Sequence, residues 1–554
     1  MQMLSANRLA AVIVVIVIFV AGAFTGRYWQ NQQLTDADVR SAAKIAALDL
    51  TQAEIDSLLP GLEDFRRSYI ANRNHLITND LAPALMFHPL PPGFQMPLPA
   101  PDQLRFSQPG KVTLPENRDE LAFYTVRQLA ELIRNQQISS LELTRFFIER
   151  LKKYDPQLHC VITLTEDLAL AQARRADAEI KQGIYRGLLH GIPYGAKDLL
   201  TKQNYPTTWG ATPYRDQSFD YDATVIQKLE AAGAVLVAKL TLGALAWGDV
   251  WFGGMTRNPW DVKTGSSGSS AGSASAVAAG LVPFAIGTET LGSIVSPSTV
   301  CGTTGLRPTF GRVSKYGAMA LSWSMDKIGP IARSVEDCAI VFAAIHGPDG
   351  KDLSVIPAPF HYNADLDTKK LRIGYVKTDF ERPYPFRSQD SIALATMRRL
   401  GYELIPVELP ALPSIRFILD AEAAAAFDDL TLSNQDDLLV RQIRNAWPNV
   451  FRQARFIPAV EYIKANRLRT QLMLQMQELF NEVDVYLHPS WGSSSLTITN
   501  LTGHPCVVMP NGFQPNGRPT SITFTGKLFG EGELLALAKA WQEATDFHRK
   551  HPKL

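Results

Sequence analysis

Residues 264–280 read TGSSGSSAGSASAVAAG, a stretch with almost no side-chain bulk that runs straight into helix-forming sequence. Glycine and serine at this density suit a flexible linker. The alanine-rich residues that follow, Ala274 to Ala279, favour a helix instead. A glycine-rich loop entering a helix presents backbone N–H groups and lets chains approach closely. A second small-residue loop, Gly287-Thr288-Glu289-Thr290-Leu291-Gly292-Ser293, follows the apolar segment Leu281 to Ile286. Two such loops, separated by a short helix and a strand, can converge on one point. On the residues alone, linker, tight packing and convergent loops all stay open.

A third element is Gly191-Ile192-Pro193-Tyr194-Gly195-Ala196-Lys197-Asp198. Lysine is normally solvated, so one set between small and apolar residues at the end of a short strand is either a snorkelling surface residue or a buried one with a task. Around these segments the pattern is regular. Residues 125–154 carry apolar side chains at helical spacing (Val126, Leu129, Ile133, then Leu143, Phe147, Leu151), and 164–182 form another Ala-rich helical stretch. Short apolar runs such as Val235-Leu236-Val237-Ala238 alternate with helical ones, which predicts an α/β domain with a covered sheet.

The chain has 554 residues, enough for one large domain with additions or for two or three smaller domains. Its net charge is +1, with acidic and basic residues interleaved, which argues against a nucleic-acid-binding surface. The four cysteines, Cys160, Cys301, Cys338 and Cys506, are scattered and read as small buried apolar residues rather than nucleophiles. There is no HExxH, and neither a metal nor any other cofactor is needed to explain the pattern.

The lysine and serine segments, in this order, resemble the amidase signature family. The similarity runs from the lysine segment through Gly268-Ser269-Ser270-Ala271-Gly272-Ser273 and Gly287–Ser293. It continues through Ser296-Pro297, Cys301-Gly302 and Gly305–Thr309, then Asp326–Pro330 and Asn500–Pro505, over roughly residues 120–554. The resemblance implies a central mixed, twisted β-sheet covered by helices on both faces, and hydrolysis of a linear amide of a small molecule. It implies Ser293 as the acyl-forming nucleophile, Ser269 as proton relay held by a cis peptide, and Lys197 as base. Backbone N–H groups of Thr290, Leu291, Gly292 and Ser293 would form the oxyanion hole. Lysine with an ordinary pKa near 10.4 cannot accept a proton at neutral pH. Burial among Gly, Ala and Ser walls with few carboxylates nearby is expected to bring it to about 7–8.

Three residues depart from the family's pattern: Glu289 stands where the family usually has Asp, Leu291 where it has Gly, and Val295 where it commonly has Arg. The missing arginine, which holds a carboxylate in some members, argues against a free acidic substrate. It also weakens the likeness to the glutaminase subunit of transfer-RNA-dependent amidotransferases. Trp247, Trp251, Phe252 and Met255 precede the Gly/Ser tract and are candidates for an apolar substrate pocket, or for core.

Two other readings compete. Gly268-Ser269-Ser270-Ala271-Gly272 formally matches the GxSxG elbow of a Ser-His-Asp esterase, with Ser270 as nucleophile and His488, His504 or His548 as partner. Asn258-Pro259-Trp260-Asp261 reads as a turn where that elbow needs a strand. The non-enzyme alternative is an inactive scaffold or binding protein, hinted at only by Leu291 and Val295.

At the N-terminus, Arg8 precedes the apolar run LAAVIVVIVIFVAGAF, residues 9–24, which Arg27 follows. As a helix it would span about 24 Å, slightly short of a bilayer core. A signal peptide, an uncleaved membrane anchor and a buried core helix are the three readings; export or membrane attachment is expected. The expected organisation is a signal or anchor over 1–34, a helical and Pro-rich extension over 35–119, and the catalytic domain over 120–554. Thr51-Gln52-Ala53-Glu54 predicts a capping box, and the proline-crowded stretch 83–116 an extended surface segment.

Overall fold

The structure is a computed structural model that describes residues 33–554 apart from Leu76. The apolar run 9–24 lies outside the described residues; among those described, no helix is long and apolar enough to cross a membrane. The chain divides into two compact units, one of residues up to Thr78 with Phe456–Pro458, the other Asn79–Arg455 with Ala459–Leu554.

In the smaller unit, the helices Asp36–Ile45 and Gln52–Asn72 each begin at a reciprocal cap. The Thr51 hydroxyl accepts from Glu54 N while Thr51 N donates to the Glu54 carboxylate, as the sequence predicts.

The larger unit is built on eleven strands: β1 Val161–Leu164, β2 Pro193–Lys197, β3 Val235–Leu240, β4 Phe284–Glu289, β5 Thr304–Arg307, β6 Lys327–Ala332, β7 Ile373–Val376, β8 Leu404–Val407, β9 Val485–Pro489, β10 Cys506–Phe513 and β11 Pro519–Gly526. They form one mixed sheet in the order β8-β7-β9-β11-β10-β5-β6-β4-β2-β3-β1, with helices on both faces. Every residue of β2, β3, β4 and β6 is buried, as expected of central strands covered on two sides.

The helical stretch expected over 125–154 is two helices, Val126–Arg134 and Ser140–Leu158, each opened by a capping box. The break is local chemistry: Ser139 and Glu142 cap the second helix, and Gln136 turns the chain at φ +53°. All six apolar positions named from the periodicity are buried. The Pro-rich stretch belongs to the larger unit and contains the short strand Gln103–Arg105, paired in parallel with His361–Asn363.

Topology sets the site. Strand β2 runs parallel to both β3 and β4, so Lys197 and Glu289 end neighbouring elements at the same edge. That is the carboxyl edge of parallel strands, where open α/β sheets hold their ligands. Strand β6 is antiparallel to β4, with Lys327 opposite Glu289, which brings Asp326 beside Thr290.

Candidate active site

Lys197 is fully buried, not snorkelling. Its Nζ lies 2.8 Å from Ser269 Oγ, 3.1 Å from Ser270 Oγ, 2.9 Å from Thr288 Oγ1 and 3.4 Å from Thr288 O. Burial drives its pKa down to about 7, against the upward pull of the Asp326 and Glu289 charges. The surroundings are thus not poor in carboxylates, as the sequence suggested; burial outweighs two of them.

The Gly/Ser tract is neither a linker nor loose. The Gly268–Ser269 peptide is cis. A Cβ on Gly268 would come within 1.8 Å of the Gly248 carbonyl oxygen, so only glycine fits there. Ser267 N donates to the Asp249 carboxylate at 3.0 Å. The serines beyond it tie the helix Ala271–Ala278 to β4. Ser270 Oγ donates to Thr288 O at 3.0 Å and accepts from Thr288 N at 3.1 Å. Ser273 Oγ donates to Ile286 O at 3.1 Å. Ser270 N donates to Ser293 O at 3.1 Å, which joins the two small-residue loops directly.

The turn Thr290–Ser293 follows β4 and precedes the helix Val295–Cys301. Gly292 sits at φ +84°, a conformation glycine adopts without strain. Among the described residues, no acceptor bonds the backbone N–H of Thr290, Leu291, Gly292 or Ser293. Consecutive unpaired backbone donors of this kind are what anion-binding concavities are built from. Ser293 is 8% exposed, and its hydroxyl makes no hydrogen bond to the described residues. The Lys197–Ser269 link is therefore closed, whereas the Ser269–Ser293 link is not hydrogen-bonded. Catalytic bonds often tighten only once substrate is bound.

The turn is held from both sides by residues whose part the sequence does not reveal. Glu289 reaches past it to accept from Ile294 N at 2.8 Å and Val295 N at 3.0 Å. Its other oxygen takes Arg307 Nη1 at 2.6 Å and Asn500 Nδ2 at 2.8 Å. Burial alone would raise this carboxyl, but the Arg307 charge and these donors hold it at about 2. On the other side, Thr290 Oγ1 donates to Asp326 at 2.6 Å. Glu289 and Arg307 are both fully buried, so neither partner has solvent to fall back on.

Val295 packs in an apolar cluster with Cys506 and Val508. Trp247 and Trp251 lie either side of Asp249, Trp247 at the end of the short helix Ala244–Ala246 and Trp251 in a two-stranded ribbon, Val250–Trp251 with Gly254–Met255. Arg441 lies over the Trp247 ring at 5.0 Å, Trp251 is buried edge-on against Phe252, and Met255 faces Gly265.

The histidines named for an elbow enzyme are poor general bases here. His488 bonds Pro489 O and Thr525, and His504 bonds Thr502. Burial lowers His488 and His548 to about 4 and His504 to about 3. The residues before Ser270 form a short ribbon, Asp261–Gly265 on Arg257–Asn258, outside the large sheet. All four cysteines are buried free thiols that burial pushes toward the protonated form.

Residues 142–535 match the Amidase family model. The chain is 33% identical over 481 residues to a glutamyl-tRNA(Gln) amidotransferase subunit of Coxiella burnetii, covering 78% of this chain and 99% of that protein. It is 36% identical to the corresponding protein of Roseiflexus castenholzii, covering 78% and 97%. Among solved structures, the native peptide amidase of Stenotrophomonas maltophilia aligns with a TM-score of 0.70 at 30% identity, covering 77% of this chain and 98% of that one. With its buried lysine and both serine loops inside the matched span, the chain belongs to the amidase (amidase signature) family.

Proposed function

We propose that the protein hydrolyses a linear carboxylic amide through an acyl-enzyme on Ser293, with Ser269 as relay and Lys197 as base. The observation that carries this reading is the buried Lys197 amine, brought to about 7 and bonded to Ser269 Oγ at 2.8 Å. A serine hydroxyl attacks well only if its proton leaves as it attacks. In this scheme Ser293 Oγ bonds the carbonyl carbon, its proton passes to Ser269 Oγ, and the Ser269 proton passes to Lys197 Nζ. The negative carbonyl oxygen faces the free N–H groups of 290–293. The C–N bond then breaks, and the leaving nitrogen takes the proton back along the same path. Water repeats the sequence on the ester and releases the carboxylic acid.

The family relatives include amidotransferase subunits and a peptide amidase. Val295, buried among Cys506 and Val508, offers no charge to a substrate carboxylate, which favours a neutral acyl group. Turnover of short acyl amides, aryl anilides and peptide amides, compared with analogues bearing an added carboxylate, tests this. Neutral substrates should be preferred at least about tenfold, one favourable contact's worth of discrimination; preference for the anionic analogues would contradict it.

A further inference from the structure

The turn that carries Ser293 is braced on its Thr290 side by one loop, Ala320–Asp326. Asp326 accepts from Thr290 Oγ1 with one oxygen and from Leu321 N at 2.8 Å and Ser322 N at 3.0 Å with the other. The loop is held in turn by buried side chains: Glu422 accepts from Ser322 Oγ at 2.6 Å and Ser324 Oγ at 2.7 Å, and Arg469 donates to Ser324 O at 2.9 Å. Its first residue is fastened from far away in sequence. Ala320 N donates to Asn79 Oδ1 at 2.8 Å, and Asn79 Nδ2 donates back to Ala320 O at 2.9 Å and to Ala426 O at 3.2 Å. A side-chain amide here replaces a neighbouring strand, satisfying both main-chain groups of Ala320.

The same segment reaches the other brace. Phe87 packs edge-on against Phe310 and lies over the Arg469 guanidinium at 3.5 Å. Phe310 N donates to Gly503 O at 2.9 Å. Gly503 caps the helix Ser495–Thr502, which supplies Asn500 to Glu289 and Thr499 to Arg307. Both Asn79 and Phe87 lie outside residues 142–535, the span that matches the family model.

We propose that Asn79 is a positioning residue for the Thr290–Ser293 turn, acting through the Ala320–Asp326 loop, with Phe87 supporting the Glu289 side. The segment from Asn79 to Phe87 is thus part of the unit that positions Ser293 rather than a spacer. The proposal rests on Ser293 as nucleophile. A turn displaced by a fraction of an ångström slows chemistry without altering substrate affinity, and misplacement by about 1 Å can cost about 100-fold.

The test uses the full chain with Asn79→Ala, Asn79→Asp, Phe87→Ala and Ser293→Ala. The readouts are the rate of fluorophosphonate labelling, kcat and KM on a turned-over amide, and thermal midpoint. Asn79→Ala should lower kcat and labelling rate about tenfold with KM within about twofold, the split expected of a misplaced reacting group. Asn79→Asp, which keeps the acceptor for Ala320 N, should fall between it and wild type. Phe87→Ala should show the same kcat-only loss, and decides the matter if Asn79→Ala does not fold. Unchanged kcat, a lowered thermal midpoint with unchanged kcat, or a change confined to KM would overturn the proposal. If Ser293→Ala still labels, the reading of the site fails and this proposal with it. If Ser293→Ala is silent while Asn79→Ala labels at the wild-type rate, this proposal alone fails.

Discussion

Lys197 Nζ stands 2.8 Å from Ser269 Oγ, and every oxygen bonded to this buried amine is uncharged. Among the described residues nothing pairs the ammonium directly, so burial sets its protonation. A base must be neutral to accept a proton, so the proposed mechanism needs the form that predominates above about pH 7. We expect kcat/KM to rise with pH, by about tenfold per unit on the acid side, and to level off above about 7. A pH–rate profile flat from about pH 5 to about 9 would contradict this.

Replacing the proposed base, Lys197, separates its charge from its proton chemistry. Lys197→Ala should lower kcat by about 10²–10⁴-fold, the usual worth of a positioned base. Lys197→Arg should not rescue it, because a guanidinium does not deprotonate in proteins. Recovery of activity in the arginine variant, read from steady-state turnover, would show that a positive charge suffices.

Glu289 and Arg307 form a buried pair at 2.6 Å on which the nucleophile turn leans. Glu289→Gln keeps the shape but leaves Arg307 buried without its counter-charge, a loss of about 3–5 kcal/mol. The carboxyl titrates at about 2 in the fold against an ordinary 4.5. Its contribution is complete above 4.5 and is lost as pH falls through about 2. Denaturant unfolding should therefore show a large gap between wild type and Glu289→Gln at about pH 7 that narrows below about pH 4.5. A gap independent of pH would mean the charge is not what stabilises.

The main sheet and the three residues proposed to react are legible in the sequence in unequal ways. Apolar runs mark β3 and β4, and helical spacing marks the helices around 126–158, because burial on one face or two leaves a period. Lys197, Ser269 and Ser293 are visible only as long motifs in a fixed order. No periodicity distinguishes Ser269 from Ser270, its neighbour, which is bonded to the same lysine. Glu289 is visible as a departure, but its span across the turn to Val295 N depends on Arg307 and Asn500, which come from distant segments. Asn79 gives no local signal at all: an asparagine after a helix reads as a turn until Ala320 is brought beside it.

Ser293, not its neighbours, is the residue proposed to become acylated. Mass spectrometry of the peptides from fluorophosphonate-treated protein reads this directly, since tryptic and secondary cleavage separate Ser269 and Ser270 from Ser293. The adduct is expected on Ser293, lost in Ser293→Ala and retained at a reduced rate in Ser270→Ala. An adduct on Ser270 or Ser269, or no adduct in folded protein, would contradict it.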